Sequence, residues 1–142
     1  MTFMVMYTVY GEAIGKQRPR FVRRGNHVST YTPEKTKTYE DEIRYMARAA
    51  MGASPPLETP VTVAIYIRVE IPKSFSKQKR KDALEGILKP TKKPDIDNIA
   101  KCFLDGMNGI VYQDDKQVIN LHVTKVYAET PAVEIMVKED LG

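Results

Sequence analysis

The sequence predicts one α+β domain over residues 1–142, with a small mixed β-sheet and helices packed on one face of it. The length of 142 residues is typical of a single domain. Hydrophobic residues make up 42% of the chain and charged residues 28%, which indicates a globular protein rather than a disordered or fibrous one. The predicted elements follow in the order strands, helix, strand, helices, strands, and this order favours an α+β fold.

The amino-terminal third predicts a strand, a hairpin and a helix. Alternate apolar residues define the strand over residues 3–9: Phe3, Val5, Tyr7 and Val9. The turn dipeptide Gly25-Asn26 separates two short apolar runs, which predicts a hairpin over residues 20–31. The helix is expected to begin with Thr32 as N-cap and Pro33 at its first position, and to end near Gly52. Its apolar face should contain Tyr39, Ile43, Met46, Ala47 and Ala50.

The central part of the chain gives the clearest strand pattern. Every second residue is apolar: Val61, Val63, Ile65, Ile67, Val69 and Ile71. A short helix capped by Ser76 is predicted to run to about Leu88, and the loop KPTKKP follows it. Another helix is predicted over residues 97–107, with Asn108-Gly109 as its end signal and four inward residues, Ile99, Phe103, Leu104 and Met107. Residues 118–127 and 133–137 alternate as two closing strands.

The charges are distributed unevenly along this basic chain, whose net charge is +4. One cluster of cations contains Lys16, Arg18, Arg20, Arg23 and Arg24; the other contains Lys73, Lys77, Lys79, Arg80, Lys81, Lys89, Lys92 and Lys93. A group of acids follows: Asp95, Asp97, Asp105, Asp114 and Asp115. Cations neutralise the phosphates of a polyanion, whereas carboxylates repel them unless a divalent cation lies between. This combination favours metal-assisted phosphodiester chemistry, although a solvated charged face also explains each basic run taken alone.

Other classes of function find little support. The single cysteine, Cys102, excludes an internal disulfide framework and reads as a partly buried thiol, and no zinc-binding spacing is present. His27 and His122 adjoin no recognisable nucleophile motif. No apolar run reaches the length of a membrane span, and the first residues read as a strand rather than a signal peptide. We therefore expect a cytoplasmic protein without a membrane partner.

The segment DIDNIAK carries the strongest candidate site. If the backbone there is extended, Asp95 and Asp97 point to the same side and can converge on one hard cation. Asp97 could instead cap the helix that follows, which would leave Asp95 unexplained. Lys101 lies one helical turn beyond Asp97 and can face the carboxylates. Asp105, a further turn on, is expected to pair with Lys101 or face solvent.

A second acidic pair, Asp114-Asp115, precedes the first closing strand. It could fold back on Asp95 and Asp97. Because adjacent side chains diverge in an extended chain, we expect one of the two acids to enter the site and the other to take a turn role.

These residues resemble a known family. The stretch KKPDIDNIAKCFLDGMNGIVYQDDKQV, together with VEIPKSFSKQKRKDALEG and GKQRPRF upstream, is similar to the RusA-type Holliday-junction resolvases, small endonucleases often carried by phages and prophages. The resemblance implies a homodimer with two active sites that cuts branched DNA such as four-way junctions. It implies metal-binding catalytic roles for Asp95, Asp97 and Asp115 and a catalytic basic role for Lys101. The role of Asp114 in metal binding or support stays open.

We therefore expect magnesium- or manganese-dependent hydrolysis of junction DNA in recombination and repair, with carboxylate oxygens as metal ligands. The cations expected to contact DNA are Lys16, Arg18, Arg20, Arg23, Arg24, Lys77, Lys79, Arg80, Lys81, Lys92 and Lys93. Two alternatives stay open. One is a metal-dependent nuclease acting on forks or flaps. The other is a noncatalytic phage protein that binds nucleic acid, in which the acids only cap helices and form turns.

Overall fold

The computed structural model describes residues 2–16, 20–31 and 34–142. Within these ranges it contains six strands, three α-helices and a one-turn 3₁₀ helix over Asp115–Gln117. The strands are β1 (Met4–Tyr10), β2 (Arg20–Arg24), β3 (His27–Tyr31), β4 (Val61–Glu70), β5 (Val118–Ala128) and β6 (Ala132–Glu139). The helices are α1 (Glu34–Met51), α2 (Lys77–Leu84) and α3 (Ile96–Met107). The predicted α+β class is confirmed.

Four strands form a mixed sheet in the order β1-β6-β4-β5. β6 is antiparallel to both β1 and β4, whereas β4 and β5 are parallel and are connected through α2 and α3. A parallel pair needs such a crossover because its strands begin at the same edge of the sheet. β2 and β3 form a separate hairpin around the predicted turn, with Arg24 opposite His27.

The hydrophobic core lies between one face of this sheet and helices α1 and α3. The alternation in β1 and β4 buries Val5, Tyr7 and Val9 on one strand and Val61, Val63, Ile65 and Ile67 on the other. Tyr39 of α1 meets Phe103 of α3 edge to face, with ring centroids 5.7 Å apart. Such contacts add to the burial of apolar area, and they fix α3 over the sheet.

The predictions for α1 and α2 need correction. The inner face of α1 contains Thr36 and Met51, whereas Ala50, predicted to face inward, is exposed. Its proposed caps, Thr32 and Pro33, lie outside the described residues.

α2 ends at Leu84 rather than near Leu88, because Gly86 adopts a positive φ of 78° and the amide of Ile87 turns back to the carbonyl of Asp82. Ser76 caps it as predicted, accepting a hydrogen bond from the amide of Lys79. No helix in the described part of the chain is both long and apolar enough to span a membrane.

Helices α1 and α3 pack tightly against each other at Gly106. A Cβ atom there would lie 2.8 Å from Cγ2 of Ile43, which is fully buried. We expect Gly106→Ala to lower the free energy of unfolding by about 1–3 kcal/mol, the usual effect of overpacking a core. Urea unfolding monitored by circular dichroism would measure this loss.

A double variant isolates the contact between the two helices. Ile43→Ala removes the clashing methyl group, so Ile43→Ala/Gly106→Ala should be destabilised by less than the sum of the two single variants. Strict additivity of the two losses would contradict close packing at this point.

Cys102 is fully buried, whereas the sequence predicts a partly buried thiol. Burial, followed by the charge of Glu40, raises the pKa of its thiol to about 12. A free thiol is about half ionised near pH 8.5, whereas this one stays protonated there. We expect iodoacetamide at pH 8.5 to label Cys102 in urea and to leave it unmodified in the folded chain. Labelling of the folded chain at the rate of free cysteine would contradict its burial.

Candidate active site

A cavity of about 790 Å³ lies at the edge of the sheet where β4 ends. The last residues of β4, the segment after β1, Pro131 before β6 and the amino terminus of α3 all contribute to its wall. The hydrogen bond from the amide of Gly11 to the carbonyl of Pro131 joins two of these segments. The topology thus brings together parts of the chain that are distant in sequence.

Asp95 and Asp97 both line this cavity and are exposed to it. Asp95 occupies the N-cap position of α3 with extended dihedral angles, and Asp97 lies in the first turn. The prediction of an extended backbone through both residues is therefore wrong at Asp97, and so is the alternative that Asp97 is the N-cap. Asp95, which does hold that position, makes no side-chain capping hydrogen bond. Within the described part of the chain, neither carboxylate forms a hydrogen bond or an ion pair.

Three lysines share the cavity with these acids: Lys16, Lys35 and Lys93. Lys16 is held firmly. Its amide donates to the carbonyl of Asn98 on α3 (2.8 Å), and its ammonium group pairs with Glu40 and lies 3.4 Å from Asp105. Partial burial acts to lower the pKa of Lys16, but the two carboxylates outweigh it and raise the pKa.

Gly15 allows the segment before Lys16 to lie directly on α3. A Cβ at this position would come within 2.8 Å of the Cβ of Asn98. Because Gly15 has no side chain, the backbone before Lys16 can pack against α3, and this contact positions Lys16 in the cavity wall.

Lys101 and Asp105 follow on the same helix. The Nζ of Lys101 lies 3.5 Å from Asp105, as the sequence analysis expected for that acid. Lys101 is 65% exposed and is not part of the cavity wall, so its predicted orientation toward Asp95 and Asp97 is not seen. Asp105 thus links the ammonium groups of Lys16 and Lys101 on one side of α3.

The second acidic pair divides into two roles. Asp114 caps the 3₁₀ helix by accepting a hydrogen bond from the amide of Lys116 (3.0 Å), while Gln117 completes a capping box. This is the predicted turn role. Asp115 does not line the cavity. It lies near Tyr112, whose pKa is raised by burial and next by the charge of Asp115, and whose hydroxyl donates to the carbonyl of Leu104 in the second half of α3.

Asp115 therefore lies toward the opposite end of α3 from Asp95 and Asp97. Among the described residues, no three Asp, Glu, His or Cys side chains form a group able to hold a metal ion. One chain does not bring the three predicted ligands together.

The predicted DNA-binding cations occupy several surfaces. Arg18 and the side chains of Arg20 and Arg24 lie outside the described residues, and Arg23 is exposed. On α2, Lys77, Lys79 and Lys81 are exposed and Arg80 is half-buried. Lys92 and Lys93 are exposed in the loop before α3, where Lys93 reaches the cavity.

Two further acids in the cavity wall were not predicted. Glu12 follows β1 and Glu70 ends β4, and both are exposed. Neither belongs to an acidic motif, so only the position of Glu70 at the carboxyl end of the clearest strand could have pointed to it. Lys35, in the first turn of α1, was not predicted either, because it belongs to neither of the two clusters of cations in the sequence.

Comparison with known proteins places these features in a family. The family model for endodeoxyribonuclease RusA matches residues 11–138. A protein of Bacillus subtilis (strain 168), named Uncharacterized protein YqaN, is 38% identical over 139 residues, which cover 95% of this chain and 96% of that protein. The family match includes the cavity and the second acidic pair. The chain belongs to the RusA endodeoxyribonuclease family.

Proposed function

We propose that this protein is a divalent-metal-dependent endonuclease that resolves four-way DNA junctions by paired hydrolysis of phosphodiester bonds, in DNA recombination and repair. The observation that carries this proposal is the presence of two carboxylates, Asp95 and Asp97, that have no partner among the described residues and lie in a cavity that also contains lysines. Carboxylates close to a phosphate are repulsive unless a cation lies between them, and lysines beside these carboxylates favour an anionic substrate. The family match supports the class of reaction.

The oxygen donors of Asp95 and Asp97 suit Mg²⁺ or Mn²⁺. Mg²⁺ usually binds through one or two carboxylates together with waters and substrate phosphates rather than in a complete protein cage. Two acids in an open cavity therefore fit this ion. When bound, the ion would supply Lewis-acid stabilisation of charge on the phosphoryl oxygens.

The chain itself contributes positioning and positive charge. Lys16 is fixed by Glu40 and Asp105 at the cavity wall, and Lys93 extends from the adjacent loop. In the proposal these groups hold the substrate phosphate against Asp95 and Asp97. Lys101 is exposed and free to turn from Asp105 to a nonbridging oxygen, where it stabilises the charge of the transition state.

The proposal includes a homodimer whose two sites act on opposite strands. A four-way junction has approximate two-fold symmetry, which a two-fold dimer matches. Asp115 lies outside the cavity of its own chain, so in the proposal the second copy supplies this third carboxylate. Asp114 is engaged in a capping box, and the proposal therefore gives it no role in metal binding.

The binding-only alternative is less well supported. It requires the acids to serve as caps and turn residues, and this describes Asp114 but not Asp95, whose side chain makes no capping bond. Nor does it explain Asp97, which has no partner among the described residues.

Junction specificity is tested by competition. A labelled four-way junction, fork, flap and duplex are mixed in one digestion with Mg²⁺, and the products are separated on a gel. We expect symmetrical cuts in the junction and slower cutting of the other substrates. Preferential cutting of the fork or flap would identify that DNA, and not the junction, as the preferred substrate. The proposed metal-dependent hydrolysis would then be unchanged.

A further inference from the structure

A second cavity, of about 360 Å³, adjoins the first. Its walls are formed by the end of β4, the loop before α3 and Tyr127 of β5. The two cavities share four lining residues: Glu12, Val69, Glu70 and Lys93. A ligand held in one cavity can therefore continue into the other.

The second cavity combines apolar walls with cations. Ile71 and Pro90 are buried beneath it, and the ring of Tyr127 forms a further wall. Lys73, Lys92 and Lys93 also line it and are exposed to solvent, and the carboxylates Glu12 and Glu70 lie on the side that it shares with the first cavity. This is the composition expected for a nucleotide, since an apolar and aromatic surface receives the base while lysines receive the phosphate.

The walls of this cavity are held in place by specific contacts. The ring of Tyr127 meets Phe75 edge to face, with centroids 5.6 Å apart. The ammonium group of Lys125 donates to the carbonyls of Lys92 (2.7 Å) and Pro94 (3.0 Å), which fixes the loop against β5. The lysines of the loop therefore extend from a fixed backbone, and this lowers the ordering cost of binding.

The size of the cavity limits the ligand. Its volume lies at the lower end of the range of about 300–1,000 Å³ that is usual for small-ligand sites. A base pair with both its strands cannot enter such a space, whereas one unstacked nucleotide can.

From these observations we infer that the second cavity binds an unpaired nucleotide adjoining the scissile phosphate, with its base against Tyr127 and its phosphate between Lys73 and Lys92. This inference rests on the proposed nuclease function. The nucleotide site would also explain why the enzyme prefers junctions to uniform duplex. Extruding a nucleotide costs less where stacking is already interrupted, as at a branch point, so the cavity favours junctions over uniform duplex.

The test uses full-length Asp97→Asn, which is expected to bind the junction and to cut it only slowly, and four-way junctions with one 4-thiothymidine at a branch-point nucleotide. After irradiation, the cross-linked peptide is identified by mass spectrometry. We expect cross-links to Tyr127 or to the loop over residues 90–94. Cross-links from every branch-point position to other surfaces would overturn the inference.

Variants provide an independent readout in binding assays with junction and duplex. Tyr127→Leu should weaken junction binding on the order of tenfold and duplex binding much less, whereas Tyr127→Phe should bind as wild type. Tyr45→Leu, at a 73% exposed tyrosine of α1, controls for loss of an aromatic ring elsewhere. Lys73→Gln, outside the packed contacts, should weaken junction binding severalfold even if Tyr127→Leu folds poorly.

The outcomes separate the two proposals. Unchanged preference for junction over duplex in Tyr127→Leu and Lys73→Gln would overturn the nucleotide site, even if the wild-type chain cuts DNA. Conversely, a wild-type chain that never cuts but cross-links through Tyr127 would refute the nuclease and leave the nucleotide site standing.

Discussion

Asp97→Asn is expected to cut a four-way junction on the order of 100- to 1,000-fold more slowly than the wild-type chain, the usual cost of losing one group that stabilises the transition state. The substitution keeps the shape of the side chain and removes its charge, so a cation in the cavity loses one of its two carboxylates. Cleavage of labelled junction in Mg²⁺, measured in single turnover, gives the rate.

Binding and folding should survive this substitution. Asp97 is exposed and has no partner among the described residues, so its replacement should change the free energy of unfolding by less than about 0.5 kcal/mol. Junction binding in a gel-shift assay should be at least as tight as wild type, because one negative charge is removed beside a phosphate site. Asp41→Asn, at an exposed position of α1, is the matched control and should cut normally. If Asp97→Asn cut the junction at the wild-type rate, Asp97 would have no role in catalysis.

A mixture of Asp97→Asn and Asp115→Asn is expected to cut a four-way junction much faster than either variant alone. Each variant by itself should lose on the order of 100-fold or more in rate. If Asp115 acts across a dimer interface, a mixed dimer has one site in which both acids are intact and one in which both are replaced. The chains are mixed by co-expression, and the products are resolved on a denaturing gel.

The pattern of cuts in this mixture is also informative. With one intact site per mixed dimer, we expect nicks in single strands rather than paired cuts. A mixture that stays inactive although native mass spectrometry shows mixed dimers would place both acids in the same chain. Wild-type activity of Asp115→Asn alone would remove that residue from the catalytic set.

The strands were predictable because their alternation reflects burial on one face. In β4 every second residue from Val61 to Ile67 is buried, as the pattern indicates. The end of α2 was not predictable from the sequence pattern. Gly86, with its positive φ, forms a local turn that ends the helix early, and the spacing of apolar residues does not reveal this turn. In α1 the pattern named Ala50, which is exposed, and missed Thr36, because hydrophobicity alone does not define which part of a helix meets its neighbour.

The candidate site was predictable only where its residues lie close together in sequence. Asp95 and Asp97 share one motif and one cavity, although through a helix start rather than an extended segment. Glu12, Glu70 and Lys35 reach the same cavity from three separate elements, so only the topology reveals them. The position of Asp115 outside the cavity could not be inferred either, because it depends on how the turn after α3 packs.

The most direct measurement is incubation of the purified wild-type chain with an end-labelled four-way junction in Mg²⁺ and, in parallel, in EDTA. We expect paired cuts at symmetrical positions with Mg²⁺ and an intact junction with EDTA. A junction that stays intact with both Mg²⁺ and Mn²⁺, or that is cut equally in EDTA, would contradict a metal-dependent nuclease built on Asp95 and Asp97.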